Sequence, residues 1–169
     1  SSDGALVGTV ALAADGTATL PVATLAVGSH RLTAAYLGDG SFAGSTATGV
    51  VHTVDRAATT LALTSSPDLS TRGRSVTLTA VASATLPGRG TPTGTITFTA
   101  EGATLGTAPL DADGIARLAT TDRPVGILSL GAAYDGDARF LAATATATQE
   151  VQKASTSVTL TPPADPVVY

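Results

Sequence analysis

The chain has 169 residues, 43% of them apolar, 13% charged and only 4% aromatic, with 18 Gly, 9 Pro and a formal net charge of −4. That balance suits a packed globular protein better than a disordered one, and it argues against a phosphate-backbone binder, which needs clustered Lys and Arg. There is no Cys and no Asn, which excludes disulfides, thiolate chemistry, Cys-based metal sites and Asn-linked glycosylation; no nucleic-acid partner and no membrane insertion are expected, because no run approaches 18 consecutive apolar residues.

Residues 1–54 carry Gly8, Asp15-Gly16, Ala18, Leu20, Gly28, Leu32, Ala34, Tyr36-Leu37-Gly38-Asp39, Phe42 and Thr46-Ala47-Thr48. At an offset of about 98 residues the same types return as Gly106, Asp113-Gly114, Ala116, Leu118, Gly126, Leu130, Ala132, Tyr134-Asp135-Gly136-Asp137, Phe140 and Thr144-Ala145-Thr146. Self-similarity at a fixed period marks an array of modules, and arrays reach, space or present. Short charged patches at Val54-Asp55-Arg56-Ala57 and Val151-Gln152-Lys153-Ala154 bound the copies. We therefore divide the chain into the C-terminal part of a repeat (1–54), a complete repeat (55–153) and the first strand of a further one (154–169), in which Ser157–Thr161 echoes Thr60–Thr64.

Within the complete copy, alternation and turn residues predict strands at Thr59–Ser65, Ser75–Ser83, Thr93–Ala100, Thr104–Leu110, Gly114–Thr120, Ile127–Tyr134 and Ala145–Gln152. Thr and Ala crowd every segment, and branched Thr favours strands, so no helix is predicted. Seven strands in about 98 residues imply a two-sheet sandwich. Its inward faces read as Leu61 and Leu63; Val76, Leu78, Ala80 and Ala82; Ile96 and Phe98; Leu105; Ala116 and Leu118; and Leu128, Leu130, Ala132 and Tyr134. Asp-Gly at 15–16 and 113–114 reads as a hairpin turn with both central positions at positive φ.

The pattern Tyr-x-Gly-Asp-x-x-Phe, preceded by Gly-x-x-x-Leu-x-Ala-x and a Leu-x-x-x-Asp-Gly-x-Ala-x-Leu hairpin, resembles the bacterial immunoglobulin-like repeats of large secreted and cell-surface proteins. The full set lies in residues 93–144 and its later half in the first copy. The resemblance implies an all-β fold of tandem immunoglobulin-like sandwiches, an extracellular bacterial or phage-borne setting, a spacer or adhesive role, no cofactor and no catalytic residues.

Asp111, Asp113, Asp135 and Asp137 are the weak candidates for a Ca²⁺ site, but Asp111-Ala112-Asp113-Gly114 runs straight into a strand and lacks a distal Glu, so they read as turn-stabilising. His30 and His52 have no ligand-type neighbour at metal spacing, and no Gly-x-Ser-x-Gly elbow occurs. Lys153, the only lysine, reads as solvated. Tyr36, Phe42, Phe98, Tyr134 and Phe140 read as core, with Gly38, Asp39, Gly136 and Asp137 shaping the turn between them; Tyr169 is unassigned.

The expected function is a non-catalytic stalk or spacer module whose partners are neighbouring repeats. The alternatives are a binding module that meets host glycan or protein through a loop such as Ala84–Thr91 with its Arg89, and a fibre subunit in which residues 155–165 add to a neighbour's open repeat. A half sandwich at 1–54 exposes apolar faces and open edges, so something is expected to complete it, and the chain reads as a piece of a longer protein.

Overall fold

The structure, a computed structural model, describes residues 1–121 and 123–161. Among these there is no helix, and the strands are β1 (Gly28–Leu32), β2 (Ala35–Gly38), β3 (Ala43–Thr46), β4 (Val50–Val54), β5 (Thr59–Ser66), β6 (Leu69–Thr71), β7 (Val76–Ala84), β8 (Thr95–Ala100), β9 (Ala103–Pro109), β10 (Ile115–Thr120), β11 (Gly126–Tyr134) and β12 (Ala143–Gln152).

Strands β5 to β12 build two facing sheets, one in the order β10-β7-β5 and the other β6-β12-β11-β8-β9. All pairings are antiparallel except β12 with β6. Alternation sends every second residue inward, and Leu61, Leu63, Val76, Leu78, Ala80, Ala82, Ile96, Phe98, Ala116, Leu130, Ala132 and Tyr134 close into one cluster with Phe140. Leu105 and Leu118 pack against it while partly exposed, and Leu128 is buried outside it. Ala occupies many of the inward positions, and a few large side chains, Phe98, Tyr134 and Phe140 among them, fill the space between the sheets.

All seven predicted strands are present, and β6 is an additional one. It is held to the end of β12 by Gln149, a buried side chain whose Nε2 donates to the Asp68 carbonyl at 3.0 Å and lies 3.3 Å from Ser70 Oγ. The turn at Asp113-Gly114 is of another kind than expected. Gly114 N–H donates to the Asp111 carbonyl and Asp111 N–H to that of Ile115, and only Gly114 has positive φ. This is a type I turn closed by a left-handed Gly, the three-residue hairpin with a G1 bulge. Asp111 Oδ1 accepts the Asp113 and Ile115 amides, which favours the longer loop.

Residues 1–54 repeat the same turns without the same layers. β1 pairs with β4 and β2 with β3, as two separate ladders. Ala13 N–H bonds Thr17 O and Gly16 N–H bonds Ala13 O, reproducing the Asp111–Ile115 hairpin with no ladder beside it. Residues 1–5 extend the repeat further than their types suggest. Ser2 pairs with Leu32 as Ala100 does with Leu130, and Asp3-Gly4 (φ 50° and 86°) matches Glu101-Gly102 (49° and 78°) in a two-residue turn with both central residues left-handed. Residues 154–161 form no strand, contrary to expectation, and Val158 and Leu160 are exposed; residues 162–169, including Tyr169, lie outside the described residues.

Candidate functional site

The most repeated feature is the Tyr-x-Gly-Asp-x-x-Phe turn that joins β11 to β12. Gly136 sits at φ +87°, and a Cβ there would lie 2.7 Å from the Phe140 carbonyl oxygen, so no other residue fits without displacing backbone. The tight turn brings Asp137 round to cap it. Asp137 Oδ1 accepts the amides of Arg139 (2.7 Å) and Phe140 (2.8 Å), and Oδ2 accepts the Thr93 amide (2.9 Å) and hydroxyl (2.7 Å). Burial would raise this carboxyl, but those four donors outweigh it and hold Asp137 well below the usual carboxylate range.

Tyr134 and Phe140 flank the turn, both buried. The Tyr134 hydroxyl donates to the Thr93 carbonyl at 2.9 Å, and burial, followed by the charge of Asp137, pushes it up to about 12. The backbone beyond Asp137 receives the incoming chain: Ala57 N–H donates to Arg139 O at 2.8 Å and Leu141 N–H to Ala57 O at 2.9 Å. The turn thus fastens the start of the sandwich to its last hairpin.

The first copy keeps the turn and changes its surroundings. Gly38 has φ +90° with the same clash against Phe42 O, and Asp39 Oδ1 accepts the Ser41 and Phe42 amides at 2.7 and 2.8 Å. Oδ2, however, accepts the Tyr36 hydroxyl at 2.7 Å. That bond, followed by the two amides, lowers Asp39, and it raises Tyr36. Tyr36 is only half-buried and Phe42 is 68% exposed. The expectation that both are core is therefore corrected: burial of this pair requires strands of the β5–β8 kind over it, and residues 1–54 supply none.

Of the carboxylates weighed as calcium ligands, Asp135 and Asp137 share one loop and Asp111 and Asp113 another. Asp111, Asp113 and Asp135 are exposed; Asp111 Oδ1 accepts two backbone amides and its Oδ2 lies 3.6 Å from Arg117 Nη1, while Asp137 spends both oxygens on backbone amides and the Thr93 hydroxyl. No three His, Asp or Glu side chains converge as metal ligands among the described residues. One pairing lay beyond the reach of sequence spacing. His30 Nδ1 is 2.8 Å from Asp3 Oδ2 and its Nε2 is 2.8 Å from the Ala26 carbonyl, while Asp3 Oδ1 accepts the Arg31 amide at 2.8 Å. The Ala26 carbonyl, followed by Asp3, raises His30. Glu101 caps Ser129 N–H at the equivalent turn, so a carboxylate at this position serves the turn in both copies.

The sequence model of the Bacterial Ig-like domain (group 3) family matches residues 1–55 and 63–152. The chain belongs to this family of bacterial Ig-like domains. No curated protein matches the chain. Bacterial Ig-like domains are generally non-catalytic and typically sit in extracellular or surface proteins as structural or adhesion-type modules. No helix among the described residues is long and apolar enough to cross a membrane.

Proposed function

We propose that the chain is a non-catalytic spacer segment of a bacterial extracellular or cell-surface repeat protein, with residues 55–153 as one complete repeat between the parts at 1–54 and 154–169. The observation that carries this reading is where the backbone joins and leaves the sandwich. Ala57 is bonded beside Phe140, just before β12 begins, and the chain departs at Gln152, where β12 ends. The ten residues of β12 span about 33 Å at roughly 3.3 Å each, so the two connections lie at opposite ends and each repeat adds length.

The loop with Arg89 fits the same reading. Arg89, Pro87 and Gly88 line a groove with Ala23–Val27 of the first copy, Asp55 and Arg139, so this loop meets the preceding copy at the junction. Small-angle scattering tests the reading: a chain carrying an extra copy of residues 55–152 should gain about 33 Å in maximum dimension. An unchanged maximum dimension, or retention of the protein on a glycan array that R89A abolishes, would overturn it.

A further inference from the structure

The segment that enters the central sandwich is tied to β12 at both of its ends. Beside the start of β12, Ala57 forms a parallel bridge with Phe140: its N–H donates to Arg139 O, its carbonyl accepts Leu141 N–H, and the Thr59 hydroxyl donates to Leu141 O at 2.7 Å. β5 then carries the chain along the other sheet, where it ladders with β7 alone. At the far end the chain returns as β6. Leu69, Ser70 and Thr71 pair in parallel with Glu150, Val151 and Gln152, and Arg72 N–H donates to Gln152 O at 2.9 Å.

Gln149 secures this second tie from inside. Its position continues the inward row of Ala143, Ala145 and Ala147, which pack on the core. An apolar residue fits such a position, and Gln149 is only 2% exposed with its Oε1 unpartnered among the described residues, an arrangement that a hydrocarbon side chain avoids. What the amide adds is its donor: Nε2 bonds Asp68 O and Glu150 O, each at 3.0 Å, and lies 3.3 Å from Ser70 Oγ. Ser70 and Val151 are buried beside it. Water is not at hand to replace these bonds as they open, so each is broken outright.

The direction of the two ties decides how they respond to load. Tension between the chain ends draws residues 57–72 back toward the entry and β12 forward toward the exit, along strands that run parallel. The bonds between them are then loaded sideways and together, whereas a ladder pulled across its strands opens from one end, one bond at a time. Once the single bridge at Ala57 parts, β6 is the only backbone ladder among the described residues that still joins residues 57–72 to the five-stranded sheet.

We propose that the β6–β12 pair, fastened by Gln149, is the mechanical clamp of the repeat, the contact that shears before tension along the chain opens the sandwich. This inference rests on the spacer reading, in which tension runs from one repeat to the next. Gln149 acts here as a positioning residue that holds Asp68–Thr71 against the end of β12.

Single-molecule force spectroscopy on the 169-residue protein tests the clamp, and a chain without cysteine accepts handles at chosen positions. One form is held by its two ends. The other is held through A112C and D135C in the two turns at the entry end, a geometry that peels β10 from β7 and β11 from its neighbours bond by bond. Each opening is recognised by the length released, about 3.3–3.6 Å per residue. At equal force the end-held form should outlast the turn-held form. Q149A should shorten the end-held lifetime on the order of tenfold, the loss of buried hydrogen bonds, and leave the turn-held lifetime unchanged. Should Q149A fail to fold, S70A should shorten the end-held lifetime alone and by less, and the comparison of directions needs no variant in the clamp. Equal resistance in the two directions, equal shortening in both, or an end-held lifetime indifferent to the variant overturns the proposal. A chain that lengthens in scattering yet resists equally in both directions overturns the clamp and leaves the spacer reading standing.

Discussion

Phe42 and Phe140 close the same turn, each donating its amide to the capping Asp three residues earlier, yet Phe42 is 68% exposed and Phe140 is 1% exposed. The two turns share the glycine geometry, the capping carboxylate and the Asp N–H to Phe carbonyl bond, at 2.9 Å in the first copy and 3.0 Å in the second. Local sequence therefore suffices for the turn, whereas burial depends on strands distant in sequence. Ile96 and Phe98 of β8 sit against β11 in the central sandwich, and the first copy has only Ser1–Asp3 on that edge. Turn geometry and side-chain burial are separable in this protein: the two copies share the first and differ in the second.

The largest test of that difference is the pair of truncations. F140A should cost about 3–5 kcal/mol in denaturant unfolding of the central sandwich, and L130A about 2–5 kcal/mol, through lost transfer energy and the cavity left behind. F42A should change the same transition by less than about 0.5 kcal/mol, as an exposed position does. Equal costs at Phe42 and Phe140 would break the comparison.

Next in size are the turn glycines. G136A should destabilise the sandwich by about 1–3 kcal/mol, because the new Cβ meets backbone at a left-handed φ. G38A meets the same clash but should leave the main unfolding transition in place, its effect showing as altered shifts at Asp39 and Phe42 in NMR spectra. This separates a local turn from a cooperative layer.

Acid titration sharpens the contrast further. Asp137 is held below its unfolded value, so its stabilising contribution is fully present above the ordinary carboxylate range and is lost as pH falls from there toward its depressed folded value. D137N should flatten the acid limb of the stability profile measured by denaturant midpoints between pH 2 and 6. D39N should leave that limb unchanged, since Asp39 caps a turn outside the cooperative core.

The smallest effect is expected at the Asp3–His30 pair. His30 is raised, so the interaction is fully present below the ordinary histidine range and is lost as pH rises through the raised folded value. Amide protection at Asp3 and Arg31, taken relative to the intrinsic exchange rate, should fall as pH rises above the ordinary histidine range, and D3N should remove that fall.

Much of the central sandwich was legible in the sequence because alternation reports burial directly: Leu61, Leu78, Ile96, Phe98 and Tyr134 face inward where period two places them. β6 escaped because Leu69-Ser70-Thr71 is too short to alternate and its pairing with Glu150–Gln152 spans most of the copy. The Asp113-Gly114 turn took the longer form because Asp111, outside the Asp-Gly pair, bonds the amides of Asp113 and Ile115. The equivalence of Ser1–Asp3 with Thr99–Glu101 was hidden since the residue types differ and only backbone register and φ reveal it. Within the turn, the caps on Asp39 and Asp137 follow from their place beside Gly38 and Gly136, but the Thr93 contact, 44 residues distant, and the Asp3–His30 pair, 27 residues apart, are products of the fold alone.

The most direct test of the account is native-state amide exchange compared across the copies at Ala132 and Tyr134 against Ala34 and Tyr36. Exchange limited by global unfolding at the first pair and faster by orders of magnitude at the second is the expected result, because local opening is governed by packing around the strand. Equal protection at the two pairs in the 169-residue protein would contradict it, and would mean that turn chemistry alone holds these strands closed.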